Sequence, residues 1–302
     1  MSLIRALLAF GTSVIFTLAV GGCSEREMTN DAEQQSHAPR LITLGGELSE
    51  TVVALGFEDQ LVAVDSTSLW PERLQRLPNV GYLRQLNTEG ILALSPDLIL
   101  ASHEAGPESV LDQLRALGIP VHTVTTGPDL RAASTAIATV GELLGARSQS
   151  ALLIDALAQS MANLKPMENV PRVLFILSKA GNQTLVAGRN TKAHTVISHA
   201  GGHNVGAGFD GYKPLSPEAI VQLAPDIILL PSHTAGSVGG REGLLTHRGI
   251  QMTPAAERGH IWIIESQTVL SLGPRIGESL VVLNRRFASV ANAEVKTAEL
   301  AR

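Results

Sequence analysis

From residue 40 onward, apolar positions fall into short continuous runs separated by stretches with helical spacing. Residues 40–44 form such a run and end at Gly45-Gly46. Residues 47–55 then carry helical spacing that stops at Gly56, the residue type favoured just past a helix end. A strand follows at 61–64, and the apolar run 97–101 reads as a buried strand. The stretch 107–117 opens on Pro107 and closes before Gly118, the asymmetry of a helix with proline at its start and glycine at its end. A strand at 119–124 completes this half. Continuous apolar strands alternating with helices predict an α/β sheet covered on both faces.

Beyond this point the period changes. Leu130, Ala133, Ile137, Val140 and Leu144 recur at three- and four-residue steps, a single helical face. Gly145 interrupts, and a second helical stretch over 148–164 ends before Pro166. It would be roughly 25 Å long, enough to bridge two small lobes. The strand pattern resumes at 172–177, continues at 226–230 and 260–264, and closes with a helix from 276 to about 290. An internal repeat organises the whole. Residues 86–100 match residues 215–229 without gaps, at a constant offset of 129 residues (Leu86 to Leu215). Both copies open on a helix-start signal with a glutamate in the first turn, Glu89 and Glu218. Both end in Pro-Asp and a buried strand. One copy on each side of the helical stretch predicts two similar lobes, 40–128 and 168–302, joined by connecting helices over 129–167. A cleft between lobes is where ligands bind.

At 302 residues, with 44% hydrophobic and 17% charged, the chain can build two cores. A net charge of −5 sets aside a nucleic-acid partner, which needs a basic surface. Aromatics are only 3%, so each one in a loop is informative. Arg5, the predominantly apolar stretch 6–20 and the small residues before Cys23 read as an export signal, too short to span a bilayer. Val20-Gly21-Gly22-Cys23 resembles the bacterial lipobox, in which the cysteine is lipidated and becomes the mature N-terminus. Cys23 is the only cysteine, so disulfides and cysteine catalysis are excluded. Residues 24–39 are polar, charged and aperiodic, and read as a flexible tether from the lipid to the folded part.

Several stretches then resemble the periplasmic haem-binding proteins of bacterial haem ABC importers, within the clan that also binds vitamin B12 and ferric siderophores. They are Gly45-Gly46-Glu47-Leu48-Ser49-Glu50, Val64-Asp65-Ser66-Thr67-Ser68-Leu69-Trp70-Pro71 and Gly81-Tyr82-Leu83-Arg84-Gln85-Leu86-Asn87-Thr88-Glu89-Gly90 in the first half. The second half adds Ala187-Gly188-Arg189-Asn190-Thr191, Gly208-Phe209-Asp210-Gly211-Tyr212-Lys213-Pro214-Leu215-Ser216 and Leu272-Gly273-Pro274-Arg275. The resemblance spans about 40–287. It implies two Rossmann-like α/β lobes joined by a single long backbone helix, with the ligand cleft between them and little hinge motion. Trp70 stands where haem binders of this family carry a tyrosine whose phenolate binds the iron, and tryptophan has no free lone pair for a metal. Leu272 stands where members tend to have phenylalanine. The resemblance also implies that Glu89 and Glu218 dock, one per lobe, against arginines of a permease dimer served by its ATPase. Paired charges of that kind fix orientation and speed encounter.

Haem is a flat apolar plate with two carboxylates and an iron, so its site needs aromatic faces, cations and a ligand atom. Trp70, in the loop after strand 61–64, can stack on a porphyrin face. Candidate iron ligands are His103, at the C-terminal end of strand 97–101 where α/β sheets bind ligands, and the two tyrosines Tyr82 and Tyr212, the latter in a glycine-rich loop. Arg84, Arg189 and Arg275 are placed to grip propionates with guanidinium forks. Arg73 is a weaker candidate, and Lys179 follows the strand ending at Leu177. His194, His199 and His203 read as solvated, because a spacing of five puts the first two on different faces of a helix. No nucleophile elbow, P-loop or paired-histidine zinc motif occurs, so an enzyme is not expected. The expectation is a monomeric, exported, lipid-anchored binding protein that carries haem as transported ligand and touches the membrane only through its anchor. A corrinoid, another tetrapyrrole or a ferric siderophore is the alternative ligand, and an anchored haem chaperone without a transporter the alternative role.

Overall fold

The computed structural model describes residues 38–180 and 183–300. Cys23, the stretch read as an export signal and nearly all of the stretch read as a tether lie outside the described residues. The first lobe runs β1 (Leu41–Leu44), α1 (Gly46–Ala54), β2 (Leu61–Val64), α2 (Thr88–Leu92), β3 (Leu98–Ser102), α3 (Glu108–Ala116) and β4 (Val121–Val124). Its four strands are parallel, in the order β2-β1-β3-β4. Two helices follow, α4 (Leu130–Leu143) and α5 (Arg147–Ala162). The second lobe begins with β5 (Arg172–Ala180), β6 (Gln183–Ala187), α6 (Lys192–His199), β7 (His203–Asn204), β8 (Tyr212–Leu215), α7 (Pro217–Leu223) and β9 (Ile227–Pro231). It continues through α8 (Ser232–Val238), α9 (Gly240–Leu245), α10 (Arg248–Gln251), α11 (Pro254–Glu257), β10 (Ile261–Ile264), α12 (Ser266–Leu270) and α13 (Ile276–Leu300).

The central strands β1, β3 and β9 and the first half of β5 after Arg172 are almost wholly apolar because helices cover both faces. In β1 and β3, Leu41 and Leu100 face a core shared with α1 and α4, while Ile42, Leu44, Ile99 and Ala101 face a core shared with α2 and α3. The second lobe repeats the scheme. Val173, Phe175, Ile227 and Leu229 pack under α6 and α13, and Leu174, Ile176, Ile228 and Leu230 pack under α7 to α10. Helix α5 is the long connection, and α4 lies beside it. Ala133 of α4 and Leu157 of α5 belong to the second lobe's core, whereas Ala136 and Val140 of α4 belong to the first. The two helices approach so closely that a Cβ on Gly141 would meet the Ser150 side chain at 2.4 Å. With α4 buried in both cores, and α5 sending Leu157 into the second and Leu153 against the first, the connection is stiff.

The second sheet has the order β10-β9-β5-β6-β8, with β7 beside the start of β5. Strands β9 and β10 pair in parallel, but β6 and β8 are antiparallel. Two placements differ from expectation for this reason. Strand β5 does not end at Leu177; it continues as one arm of a hairpin, so Lys179 lies inside the strand opposite Thr184. Tyr212 does not sit in a loop but opens β8, opposite Ala187. Pro214 marks β8 as an edge strand, where a missing N–H is tolerated.

The repeat is reproduced in atomic detail. Helix α2 is capped by Asn87, whose Oδ1 accepts the Gly90 N–H at 2.7 Å, and α7 by Ser216, whose Oγ accepts the Ala219 N–H at 3.3 Å. Ser95 and Ala224, at equivalent positions, both take left-handed backbone conformations with φ of 45° and 39°. Each Pro-Asp corner is clamped by an arginine preceding or opening its lobe's first strand. The Asp97 carboxylate accepts the Arg40 N–H at 2.8 Å, and the Arg40 guanidinium donates to the carbonyls of Ser95 and Leu94. Asp226 and Arg172 make the same set, with carbonyls of Ala224 and Leu223. We expect Arg40→Ala and Arg172→Ala to destabilise the protein by similar amounts, about 1–2 kcal/mol each, measured by urea unfolding. Strongly unequal losses would show that the two corners are not mechanically equivalent.

Candidate ligand-binding cleft

The loop that carries Trp70 is built by one buried carboxylate. Asp65 directly follows β2, and its Oδ1 accepts the Gly45 N–H and the Ser68 hydroxyl, both at 2.9 Å. Its Oδ2 accepts the N–H and hydroxyl of Thr67 at 2.9 and 2.7 Å. Burial raises the Asp65 pKa above its ordinary value, opposed by these bonds. Gly45 has a φ of +135°, and a Cβ on Gly46 would stand 2.5 Å from the Thr67 carbonyl oxygen, so both glycines are required for the close approach. The resemblance motifs Gly45–Glu50 and Val64–Pro71 are therefore two halves of one local construction.

Gln267, buried in α12 of the second lobe, seizes this construction. Its Oε1 accepts the N–H groups of Leu69 and Trp70 at 3.1 and 2.9 Å. Its Nε2 donates to the Gly46 carbonyl and to Glu50 Oε2, both at 3.0 Å. All four partners belong to the first lobe. Glu50, also buried, accepts the Arg275 N–H on Oε1 at 2.7 Å and Arg275 Nη2 on Oε2 at 3.2 Å. Desolvation pushes the Glu50 pKa up, with Arg275 pulling it back. The Arg275 guanidinium also meets Glu265 at 3.4 Å and lies 3.9 Å from the centre of the Trp70 ring.

Beside this seam a cleft of about 640 Å³ opens between the lobes, within the range of small-molecule sites. Leu69, Trp70, Glu72 and Gln75 line it from the first lobe; Ser232, His233, Glu265 and Arg275 line it from the second. Trp70 and Arg275 are thus brought together as candidates. Tyr82, His103, Lys179, Arg84, Arg189 and Tyr212 do not line this cleft. Tyr82 is exposed, and Arg84 pairs with Glu104. Glu104 also meets Lys192 Nζ at 3.5 Å, which reaches Glu47 at 3.2 Å, so this second flank of the seam is a charged lattice. Arg189 pairs with Asp210 at 3.1 Å, and Arg73 with Glu58. Tyr212 lies beside Thr191 and Glu104, and burial pushes its pKa up to about 12, which keeps the phenol neutral. His103 Nδ1 accepts the Thr126 N–H at 3.2 Å. The neutral ring therefore carries its proton on Nε2 and offers iron no lone pair there. His194 is not simply solvated: it is half-buried against Asn204, and burial with Arg189, His199 and His203 nearby lowers its pKa.

Reading the sequence missed His233, Gln267, Glu50 and Glu265. His233 had a usable signal, since it follows the repeat strand β9 much as His103 follows β3, and ligands gather at such strand ends. Glu50 ended a resemblance motif without a role of its own, and Gln267 had no signal, because nothing local marks a side chain whose partners lie about 200 residues away.

A family model described as periplasmic binding protein matches residues 41–268. The chain belongs to this family. The two-lobed architecture is that of the periplasmic heme-binding protein RhuT from Roseiflexus sp. RS-1, in apo form. That structure is 36% identical with a TM-score of 0.81, over 84% of this chain and 100% of that one. The vitamin B12-binding protein of Vibrio parahaemolyticus is 26% identical over 255 residues, 83% of this chain and 90% of that one. The uncharacterized ABC transporter substrate-binding lipoprotein YvrC of Bacillus subtilis is 23% identical over 275 residues, 88% of this chain and 84% of that one. This periplasmic binding protein accordingly stands among solute-binding proteins and not among enzymes.

Gln267→Leu preserves volume but strands buried N–H and carboxylate partners, so this periplasmic binding protein should lose about 3 kcal/mol or more of unfolding free energy. A loss under about 1 kcal/mol in urea unfolding would show that the amide does not hold the lobes. Glu50 has its pKa raised from 4.5, so its proton is held more tightly folded than unfolded. Its contribution to stability is full below the ordinary value and falls as pH rises through the raised one. The urea midpoint of wild type should decline relative to that of Glu50→Gln as pH rises from about 4 towards 7; parallel profiles would contradict the linkage.

Proposed function

We propose that this periplasmic binding protein captures haem in the inter-lobe cleft and delivers it to the permease of an ABC importer. What carries the reading is the likeness to the RhuT heme-binding protein along that protein's full length, at 36% identity, coinciding with a cleft of suitable size between lobes of the same arrangement. Trp70 supplies an aromatic wall and Arg275 a cation held against it. The haem is transported ligand, not catalyst. Export through the N-terminal signal and anchoring through lipidated Cys23 complete the reading, supported by the YvrC lipoprotein relative. Glu89 and Glu218 are exposed in the first turns of α2 and α7, the two copies of the repeat. We assign them to docking on the two permease subunits, with the helix dipoles favouring their charge.

One observation favours a second ligand class. Arg84, Arg189 and Arg275 are each already paired with acids of the chain, so a ligand bearing propionates must displace or share them. A corrinoid carries amides where haem carries carboxylates, and one relative is a vitamin B12-binding protein. Titration of the purified mature chain with haemin, followed in the Soret band, and separately with cobalamin decides between them. We expect haemin to bind and Trp70→Ala to weaken it at least tenfold, about 1.4 kcal/mol. Saturable cobalamin binding with no haemin response would overturn the haem assignment.

A further inference from the structure

We propose that His233 is the axial ligand to the iron of the tetrapyrrole held in the inter-lobe cleft. The proposal rests on the haem reading and names the atom that holds the metal. The residues expected to ligate iron, His103, Tyr82 and Tyr212, do not line the cleft, and Trp70, which does, has no lone pair to give. Among the described residues that line it, His233 alone carries an imidazole; its other ionisable neighbours there are Glu72, Glu265 and Arg275. It is the second residue of α8, just past the C-terminal end of β9, on the second lobe's wall of a cleft whose first-lobe wall carries Trp70. A planar ligand between the lobes would then meet an aromatic ring from one side and an imidazole from the other.

The surroundings of the ring suit a ligand histidine. Nδ1 lies 2.8 Å from Ser266 Oγ, which also accepts the His233 backbone N–H at 3.1 Å and lies 3.0 Å from Ser232 Oγ. Nε2 lies 3.1 Å from Thr234 Oγ1, whose hydroxyl proton is given to the Leu177 carbonyl. The Thr234 oxygen therefore accepts from Nε2–H in this state. Ligation needs one rearrangement. The ring proton passes from Nε2 to Nδ1, Nδ1–H donates to Ser266 Oγ, and the Ser266 proton turns to Ser232 Oγ. Nε2 leaves Thr234 with its lone pair directed to iron, and no net proton is taken up or released. Partial burial holds the His233 pKa below its ordinary value, which favours the neutral ring that a metal requires. A hydroxyl that accepts a ligating ring's other N–H fixes the ring's tautomer and orientation.

The test compares ferric haemin with metal-free protoporphyrin IX, which has the same plate and propionates and no metal. Wild type, His233→Ala and His233→Gln are titrated with both. We expect both variants to weaken haemin by about tenfold or more, to shift its Soret band and electron paramagnetic resonance signal, and to change protoporphyrin IX affinity less than twofold. Added imidazole should restore the wild-type spectrum in His233→Ala. Haemin affinity and spectrum unchanged in the variants would overturn iron ligation while leaving the haem reading intact. Equal weakening of both porphyrins would also overturn it, by assigning His233 to packing. Failure of wild type to bind either porphyrin would overturn the haem reading itself, and this proposal with it.

Discussion

The side-chain amide of Gln267 is the point on which the geometry of this protein turns. It comes from the second lobe, and each of its four hydrogen bonds ends on the first, at Gly46, Glu50, Leu69 and Trp70. A buried amide must satisfy its donors and acceptors, so separating the lobes at this seam would leave several buried polar groups unpaired at once. The same bonds set the backbone that presents Trp70. The cleft wall that Trp70 forms and the lobe spacing are therefore one mechanical unit. With α4 and α5 packed into the cores of both lobes, the cleft is held open at a defined width.

Charge in this seam is arranged in pairs. Arg275 is shared between Glu50 and Glu265 while its guanidinium covers a face of the Trp70 ring, and on the other flank Lys192 and Arg84 converge on Glu104. These pairs serve the seam before they serve a ligand. An arginine that already holds a buried carboxylate has little free charge to offer a second one, since desolvating a like pair of acids beside one cation is unfavourable. Arg275 thus orients Trp70 and balances Glu50, and any propionate contact is added to that duty.

The duplicated unit explains where the site lies. Each copy sends a buried strand to the seam, β3 in the first lobe and β9 in the second, and the residues just past those strands are His103 on one side and Ser232 and His233 on the other. The two ends have diverged. His103 turns its Nδ1 into Thr126, and its neighbour Glu104 enters the charged lattice. His233 stands on the cleft wall against Ser266. At the repeat's offset of 129 residues, His103 matches Ser232 and Glu104 matches His233, so side-chain partners from elsewhere in the chain, not the duplication, turned His103 into a structural contact and placed His233 on the cleft wall.

The α/β alternation, the two lobes, the helices between them and the duplicated corner were legible in the sequence, because periodicity, caps and turn residues act over a few positions. The ten-residue spacing of Asn87 and Asp97, and of Ser216 and Asp226, sufficed to place matching helices, corners and strands. Trp70 and Arg275 were recognisable from their motifs. The antiparallel extension of β5, which moved Lys179 and Tyr212 from loops into strands, depends on pairing between segments that carry no local mark. The distribution of the arginines among their acids, the clamp of Gln267 and the exposure of His233 to the cleft were decided only by tertiary structure. Hydrogen bonds and ion pairs act over about 3 Å, and which groups come within that distance is set by how two separately patterned lobes pack together.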